Sequence, residues 1–382
     1  MKRTVYNAEH EAFRQTVRTF IAEHVAPHND EWTAAGIVPR ELFARAGAAG
    51  LFDTSIPKQY GGRGTRDFRY NLVLGEELAT AGFAAVGLGL TLHTDICTPY
   101  LLNLATDEQK SRWLPGVASG EVITAIGMTE PALGSDLASM TTTAIRDGDH
   151  YVVNGTKTLI SNGINGDLLI VAAKTDPSER HKGISLLVLE RGMEGLEYGR
   201  NLKKIGLNAQ DTAEWHFKDV RVPVANLLGE EGKGFVHLMQ NLPAERLSMA
   251  SYGVAAARAA LEWTLSWVKQ RQAFGKPIGD FQNTKFRLAE IATEVDVAQA
   301  FVDACVVAFN TGELDAADAA KAKWWCTELQ GRALDACLQF HGGWGYLTEQ
   351  PISRAWADAR ISRIYGGTTE IMKEVIGRGL RL

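Results

Sequence analysis

Five short segments carry residue types and backbone shapes suited to chemistry. Met128-Thr129-Glu-Pro131-Ala-Leu-Gly134-Ser135-Asp136 sets two hydroxyls, a proline and a glycine on one loop. Backbone N–H groups with hydroxyls beside them suit a polar ring edge or a phosphate; an ordinary Gly/Pro turn has the same composition. Asn154-Gly155-Thr-Lys157-Thr-Leu159-Ile-Ser161-Asn-Gly163 reads as two strands around an Asn-Gly turn. Arg271-Gln-Ala-Phe274-Gly275 closes a long helical stretch. The helix dipole favours an arginine there, and Gly275 suits the residue just past a helix end. A guanidinium left free at that point binds a pyrophosphate through two N–H groups. Gln339-Phe-His341-Gly342-Gly343-Trp-Gly345-Tyr346 sets glycines among aromatics, a backbone that something bulky can approach closely. Ile364-Tyr-Gly366-Gly367-Thr368-Thr369-Glu370 precedes a last helix, which either threonine can cap while its N–H groups stay free for an anion.

Other chemistries lack their residues. No GxGxxG follows a strand, and there is no Walker A and no GxSxG elbow. His24 and His28 stand four apart, but no Glu follows His24 and Pro27 interrupts the turn, so a structural or solvent role is expected. Cys97, Cys305, Cys326 and Cys337 show no CxxC and no zinc spacing; buried reduced thiols, no metal and a reducing compartment are expected.

The elements that position these segments sit in a chain of 382 residues, with 40 Lys and Arg against 45 Asp and Glu. A net charge of −5 offers no general attraction to nucleic acid or an anionic membrane. Hydrophobic residues at 45% describe a globular chain with a sizeable core. The start, MKRTVYNAEHEAF, lacks a signal peptide's apolar core and carries acids too early for a transit peptide. The most apolar stretch, Gly82 to Leu92, falls short of the ~20 residues that span a bilayer. A cytoplasmic protein with no membrane insertion is the expectation. The 38 glycines exceed the usual share of about 7%.

Three blocks follow, and the fold class is α+β. Residues 1–121 form an N-terminal α-helical domain, in which Phe13, Val17, Phe20, Ile21 and Val25 make a helical stripe ended by Pro27. Thr106-Asp-Glu-Gln109 has capping-box form and opens a short helix expected to stop near Pro115. Residues 122–230 form a central antiparallel β domain, with strands at Asp167 to Thr175, Gly183 to Glu190 and Thr212 to Lys218. Residues 231–382 form a C-terminal four-helix-bundle-like domain, its long helices near 234–272, 282–311 and 316–340. Pro243 should kink or restart the first of these.

The five segments occur in the order and spacing of the acyl-CoA dehydrogenases, and the chain resembles that family from about Glu9 to Arg378. The resemblance implies FAD, a homotetramer, α,β-desaturation of an acyl-CoA thioester, and electron transfer to an electron-transferring flavoprotein. In many members the α-proton goes to a Glu in an IYEGT motif; here Gly366 stands in its place. A second group, with isovaleryl- and long-chain types, keeps its Glu before the Arg of a mid-chain helical pair, which Glu245-Arg246 match. The resemblance therefore implies Glu245 as the base, with Ser135, Arg246 and Gly366 at the substrate. A helix start after Pro243 favours a Glu there on dipole grounds alone. In the family the thioester carbonyl is held by a ribityl hydroxyl of FAD and the N–H at the IYEGT Glu position, and the β-hydrogen leaves as hydride to flavin N5. Gly366 keeps that N–H. An apolar slot should raise the pKa of Glu245 toward neutrality.

Cofactor positions implied by the same resemblance are Met128, Thr129, Gly134 and Ser135 at the ring and pyrophosphate, and Leu159 and Ser161 beside the isoalloxazine. Leu159 takes the place of the usual Trp or Phe. Arg271, Phe274, Gln339, Gly342 and Gly343 would reach FAD across a subunit interface, with Gln282 matching a His-Gln pair whose His is here Phe281. Gly367, Thr368 and Glu370 match the adenosine pyrophosphate region. The helices near Leu92 to Tyr100 and Met239 to Ala250 should line the acyl slot. Three other readings stay open: a carrier-protein thioester as substrate, an oxidase, and an inactive acyl-CoA/FAD-binding scaffold. The missing extra C-terminal domain argues against the oxidase, and the Glu245-Arg246 pair against the scaffold.

Overall fold

The computed structural model describes residues 3–381. Seven helices form the N-terminal block: α1 (Ala8–Phe20), α2 (Asn29–Ala35), α3 (Arg40–Ala48), α4 (Arg69–Thr80), α5 (Ala84–Thr91), α6 (Thr98–Leu104) and α7 (Asp107–Ser119). Phe13, Val17, Phe20, Ile21 and Val25 share one buried core, as their spacing predicts. Thr106 and Gln109 make both bonds of the capping box at α7. Pro115 does not end that helix, which runs on to Ser119 and stops at Gly120 with φ 73°. A proline removes one donor; a left-handed glycine closes the helix. Between α5 and α6 the backbone widens into a π-turn, Leu92–Cys97.

The sheet consists of β1 (Thr124–Gly127), β2 (Thr143–Asp147), β3 (His150–Ser161), β4 (Leu168–Lys174), β5 (Ile184–Glu190), β6 (Leu196–Tyr198), β7 (Thr212–Pro223) and β8 (Leu227–Leu228). Its order is β6-β7-β3-β2-β4-β5-β8, with β1 beside β4. Most pairs are antiparallel, but β1 lies parallel to β4, Thr124 against Leu168, and β2 meets β4 in parallel at Thr143 and Lys174. The wholly antiparallel block read from the sequence is thus a mixed sheet. The β2–β3 hairpin and its return serve as the crossover that parallel neighbours need. In β4 and β5 successive side chains serve two cores. Leu168, Ile170, Leu186 and Val188 face the helices with Trp113 and Val117, while Leu169, Val171, Leu187 and Leu189 pack with Trp215. Burial on both faces explains why these strands read as unbroken apolar runs.

Asn154-Gly155 does not turn the chain. β2 and β3 turn at Gly148 and Asp149, and β3 continues through Gly155, where φ is 143° and the register with β7 shifts. A Cβ at Gly155 would lie 2.6 Å from Thr142 Oγ1, so the glycine permits a close approach inside a bulge. Asn154 is tied across to Asp219: its Nδ2 donates to Oδ1 at 3.0 Å, and the Asp219 N–H donates back at 2.9 Å. Pairing along β7 outweighs the local hairpin preference.

The C-terminal block has α8 (Gly234–Gln270), α9 (Gln282–Asn310), α10 (Ala316–His341), α11 (Pro351–Ala359) and α12 (Thr369–Gly379). Their shared core runs from Leu247 to Val268, along α9 and α10, to Ile352 and Ala359. Pro243 does not restart α8, which is one element of 37 residues. The Arg271-to-Gly275 segment is not a simple helix end either. Gln272–Ala273 pairs with Lys276–Pro277, and Phe274 and Gly275 form the turn at φ 53° and 80°. Two left-handed residues are what a two-residue hairpin loop needs, and this role overrides the C′ role read for Gly275.

Candidate active site

Glu245 lies on α8 at 2% exposure, facing α6. Tyr100, fully buried on α6, donates its hydroxyl to Glu245 Oε1 at 2.9 Å. Burial raises the carboxyl's pKa to about 7, against the opposing pull of the Tyr100 hydrogen bond and the Arg246 charge. The neighbouring Arg246 turns elsewhere: its Nε donates to the Gly366 carbonyl at 3.4 Å. No sequence signal marked Tyr100, because nothing in a helix of apolar text announces which side chain meets a residue 145 positions away.

Gly366 and Gly367 stand opposite in a turn with φ 63° and 103°. A Cβ at Gly366 would lie 2.5 Å from Met249 Sδ, so Met249 fills space beside a residue that has no side chain. The Gly366 N–H has no protein partner among the described residues and its residue lines the cavity that holds Glu245. The turn is clamped from behind: buried Lys323 on α10 donates from Nζ to the Gly367 carbonyl at 2.6 Å. Burial and the charge of Arg246 lower the lysine's pKa to about 8, with Glu328 and Glu370 opposing. Sequence reasoning passed over Lys323; its position within the Ala- and Trp-rich start of α10 was the available signal.

One cavity, about 200 Å³ in volume, brings together Met128, Thr129, Leu159, Ser161, Glu245 and Gly366. Leu92, Ile96, Ser248 and Met249, from the two helical stretches expected to line an acyl slot, also line this cavity. The loop bearing Thr129 is bolted to β3 by a buried ion pair. Lys157 Nζ lies 2.9 Å from Glu130 Oε1 and donates to the Met128 carbonyl at 3.1 Å. Glu130 also accepts from Thr141 N, Thr141 Oγ1 and Thr142 N at 2.7, 2.7 and 2.9 Å. Burial alone raises a carboxyl's pKa; Lys157 and the threonines outweigh it and hold Glu130 at about 2. The Thr129 carbonyl accepts from Thr158 N at 3.0 Å, fixing the loop against the strand.

The wall so fixed is amphiphilic. The Thr129 and Ser161 hydroxyls make no hydrogen bond to a described residue, and Leu159, lining the same cavity, is 63% exposed at φ 60°. Free hydroxyls around an exposed apolar side chain suit a planar ring with apolar faces and a polar edge, which is what a flavin presents. Gly134 and Ser135 sit on an exposed loop outside the cavity, and a Cβ at Gly134 would meet nothing within 4 Å. Arg246, Gly367, Thr368 and Glu370 do not line it; Thr368 caps α12 by accepting from Ile371 N. Arg271, Phe274, Gln282, Gln339, Gly342 and Gly343 are exposed and also lie outside it. The four cysteines are buried and free.

Three family models describe the chain in sequence: acyl-CoA dehydrogenase N-terminal domain over residues 7–121, middle domain over 125–220 and C-terminal domain over 232–381. The chain belongs to the acyl-CoA dehydrogenase family. The mitochondrial long-chain specific acyl-CoA dehydrogenase of Sus scrofa is 47% identical over 378 residues, 98% of this chain and 87% of that protein. The crystal structure of an acyl-CoA dehydrogenase from Geobacillus kaustophilus is 47% identical with TM-score 0.97, over 100% of both chains. An acyl-CoA dehydrogenase from Bacillus anthracis complexed with FAD is 29% identical with TM-score 0.92, over 100% of this chain and 70% of that one. This acyl-CoA dehydrogenase is accordingly an FAD-dependent oxidoreductase of acyl-CoA substrates, with the helical, β-sheet and helical domains of its fold. No helix among its described residues is long and apolar enough to cross a membrane.

Proposed function

We propose that Glu245 is the base of this dehydrogenase, taking the α-proton of an acyl-CoA thioester on the way to the trans-2-enoyl-CoA. The observation that carries this is the buried Glu245 carboxyl in the same cavity as the side-chain-free Gly366. A carboxyl with pKa about 7 is half ionised at neutral pH, where a general base works best. As the Cα–H bond breaks, the proton passes to the carboxylate and negative charge gathers on the thioester oxygen. The free Gly366 N–H is the donor this chain supplies for that oxygen. Lys323 and Arg246, on the carbonyls of the same turn, orient it. Met128, Thr129, Leu159 and Ser161 would hold the flavin ring, with Gly134, Ser135, Gly367, Thr368 and Glu370 reaching its phosphates. Bound FAD supplies the acceptor for the β-hydride.

The electrons go on to an electron-transferring flavoprotein, in keeping with family membership. A homotetramer completes the site, with Arg271, Phe274, Gln282, Gln339, Gly342 and Gly343 meeting FAD of a neighbouring copy. Phe274 and Tyr346, 95% and 90% exposed in these segments, are supporting observations, since isolated chains rarely leave such rings uncovered. Free buried thiols agree with a cytoplasmic enzyme. Anaerobic mixing of the yellow holoenzyme with acyl-CoA thioesters should bleach the flavin, and Glu245→Gln, with FAD still bound, should slow bleaching at least a thousandfold. A near wild-type reductive rate in that variant would falsify the assignment.

A further inference from the structure

The slot beyond Glu245 does not end as an apolar tube. One to two turns farther along α8 its wall passes from Ser248 and Met249 to Tyr252, and Gln330, Asp358 and Tyr365 join it there. Gln330 is 2% exposed, and its Oε1 is buried without a hydrogen-bond partner. Asp358 accepts one hydrogen bond among the described residues, from Leu207 N at 2.5 Å. The Tyr252 and Tyr365 hydroxyls accept and donate none among the described residues. Burial first, then the charges of Asp358 and Tyr365, raise the pKa of Tyr252, so the three groups share one neighbourhood.

A buried polar group left unmet is costly. A plain alkyl chain in this slot leaves the buried Gln330 Oε1 unmet, together with the two half-buried phenol hydroxyls, and a slot evolved only for alkyl chains has no use for them. The free capacity includes acceptors, at Gln330 Oε1 and Asp358, and donors, at the two phenols. A neutral hydroxyl both donates and accepts and fits such a set. A second carboxylate fits less well, because it would face the Asp358 carboxyl on the same cavity wall.

We propose that this enzyme selects acyl-CoA substrates whose chain carries a neutral hydroxyl beyond Met249, bound by Gln330, Asp358, Tyr252 and Tyr365. The proposal rests on the reading of Glu245 as the base, which fixes where the thioester lies. From Glu245 to Tyr252 the helix rises about 10 Å, so the hydroxyl sits in mid-chain rather than next to the thioester.

The test compares hexadecanoyl-CoA with its mid-chain hydroxylated positional isomers, reading anaerobic flavin bleaching and kcat/KM for the holoenzyme. At least one isomer is expected to exceed the plain chain about tenfold, well within what hydroxyl recognition supplies. Gln330→Leu and Tyr252→Phe are each expected to cut that ratio at least fivefold; Tyr252→Phe removes only a hydroxyl, which guards against misfolding. Preference for the plain chain over every isomer, or a ratio unmoved in both variants, overturns the proposal while bleaching by the plain chain leaves Glu245 in place. Absence of bleaching with either series overturns both.

Discussion

Tyr100 Oη donates to Glu245 Oε1 at 2.9 Å, joining α6 of the first helical block to α8 of the second at the wall of the cavity that Glu245 lines. The bond occupies one carboxyl oxygen and leaves the other without a protein partner among the described residues. It also limits the basicity that burial creates.

Removing that donor should make the base stronger and harder to ionise. In Tyr100→Phe the pKa of Glu245 rises further above about 7, because the hydrogen bond that lowers it is gone. A hydrogen bond to a charged group is worth roughly 1.5–3 kcal/mol, so the rise is on the order of one pH unit. Reductive rates should fall roughly five- to tenfold at pH 7 and recover above pH 9. Stopped-flow bleaching across pH decides it: an unmoved rising limb removes Tyr100 from the account.

The buried Glu245 carboxyl weakens the fold that holds it. Its pKa is raised from 4.5 to about 7 on folding, so between those values the native state binds more protons than the unfolded chain. Stability therefore falls as pH rises through that window, by up to roughly 3 kcal/mol. Glu245→Gln should melt several degrees higher than wild type at pH 8 and at about the same temperature at pH 4. Thermal scans at both pH values check it, and a gain of equal size at pH 4 counts against this origin.

Lys323→Met leaves the half-buried Gly367 carbonyl without its donor. The Gly366 N–H then loses its fixed aim, and displacement of this kind costs roughly ten- to a hundredfold in rate. The loss should appear in kcat far more than in KM, with circular dichroism unchanged. A change confined to KM means that the lysine serves binding alone.

Breaking the Glu130–Lys157 pair from one side strands a buried charge. Lys157→Met should cost about 3–5 kcal/mol and release FAD more readily, whereas pairing it with Glu130→Gln should restore much of the stability. Because Glu130 sits at about 2, its contribution is full above pH 4.5 and fades as pH falls toward 2. Melting temperature and flavin retention across the single and double variants measure the coupling; equal losses in single and double variants argue against it.

Local signals in the sequence announced local structure well. Thr106 and Gln109 cap α7, Thr368 caps α12, and the stripe of Phe13, Val17 and Phe20 is buried. Where the reading erred, a long-range interaction had overruled a short one. Asn154-Gly155 became a bulge because β3 pairs with β7 from His150 through to Ser161, and Arg271-to-Gly275 became a hairpin because Lys276–Pro277 folds back on it. The candidate site was legible as a set of motifs, including the vacancy at Gly366. Tyr100, Lys323 and the Glu130–Lys157 pair were not, since each acts through a partner distant in the chain.

The amino-acid order alone determined the succession of helical, β and helical blocks and the motif register that marks the family; the family resemblance then pointed to Glu245 as the carboxylate to weigh, since Gly366 has no side chain. Only the tertiary structure decided what that carboxylate is. Its pKa of about 7, its Tyr100 partner and the Lys323-clamped turn across from it arise when α6, α8, α10 and the last loop close around one cavity. Periodicity and capping act over a few residues, whereas desolvation is set by every element that excludes water from a site.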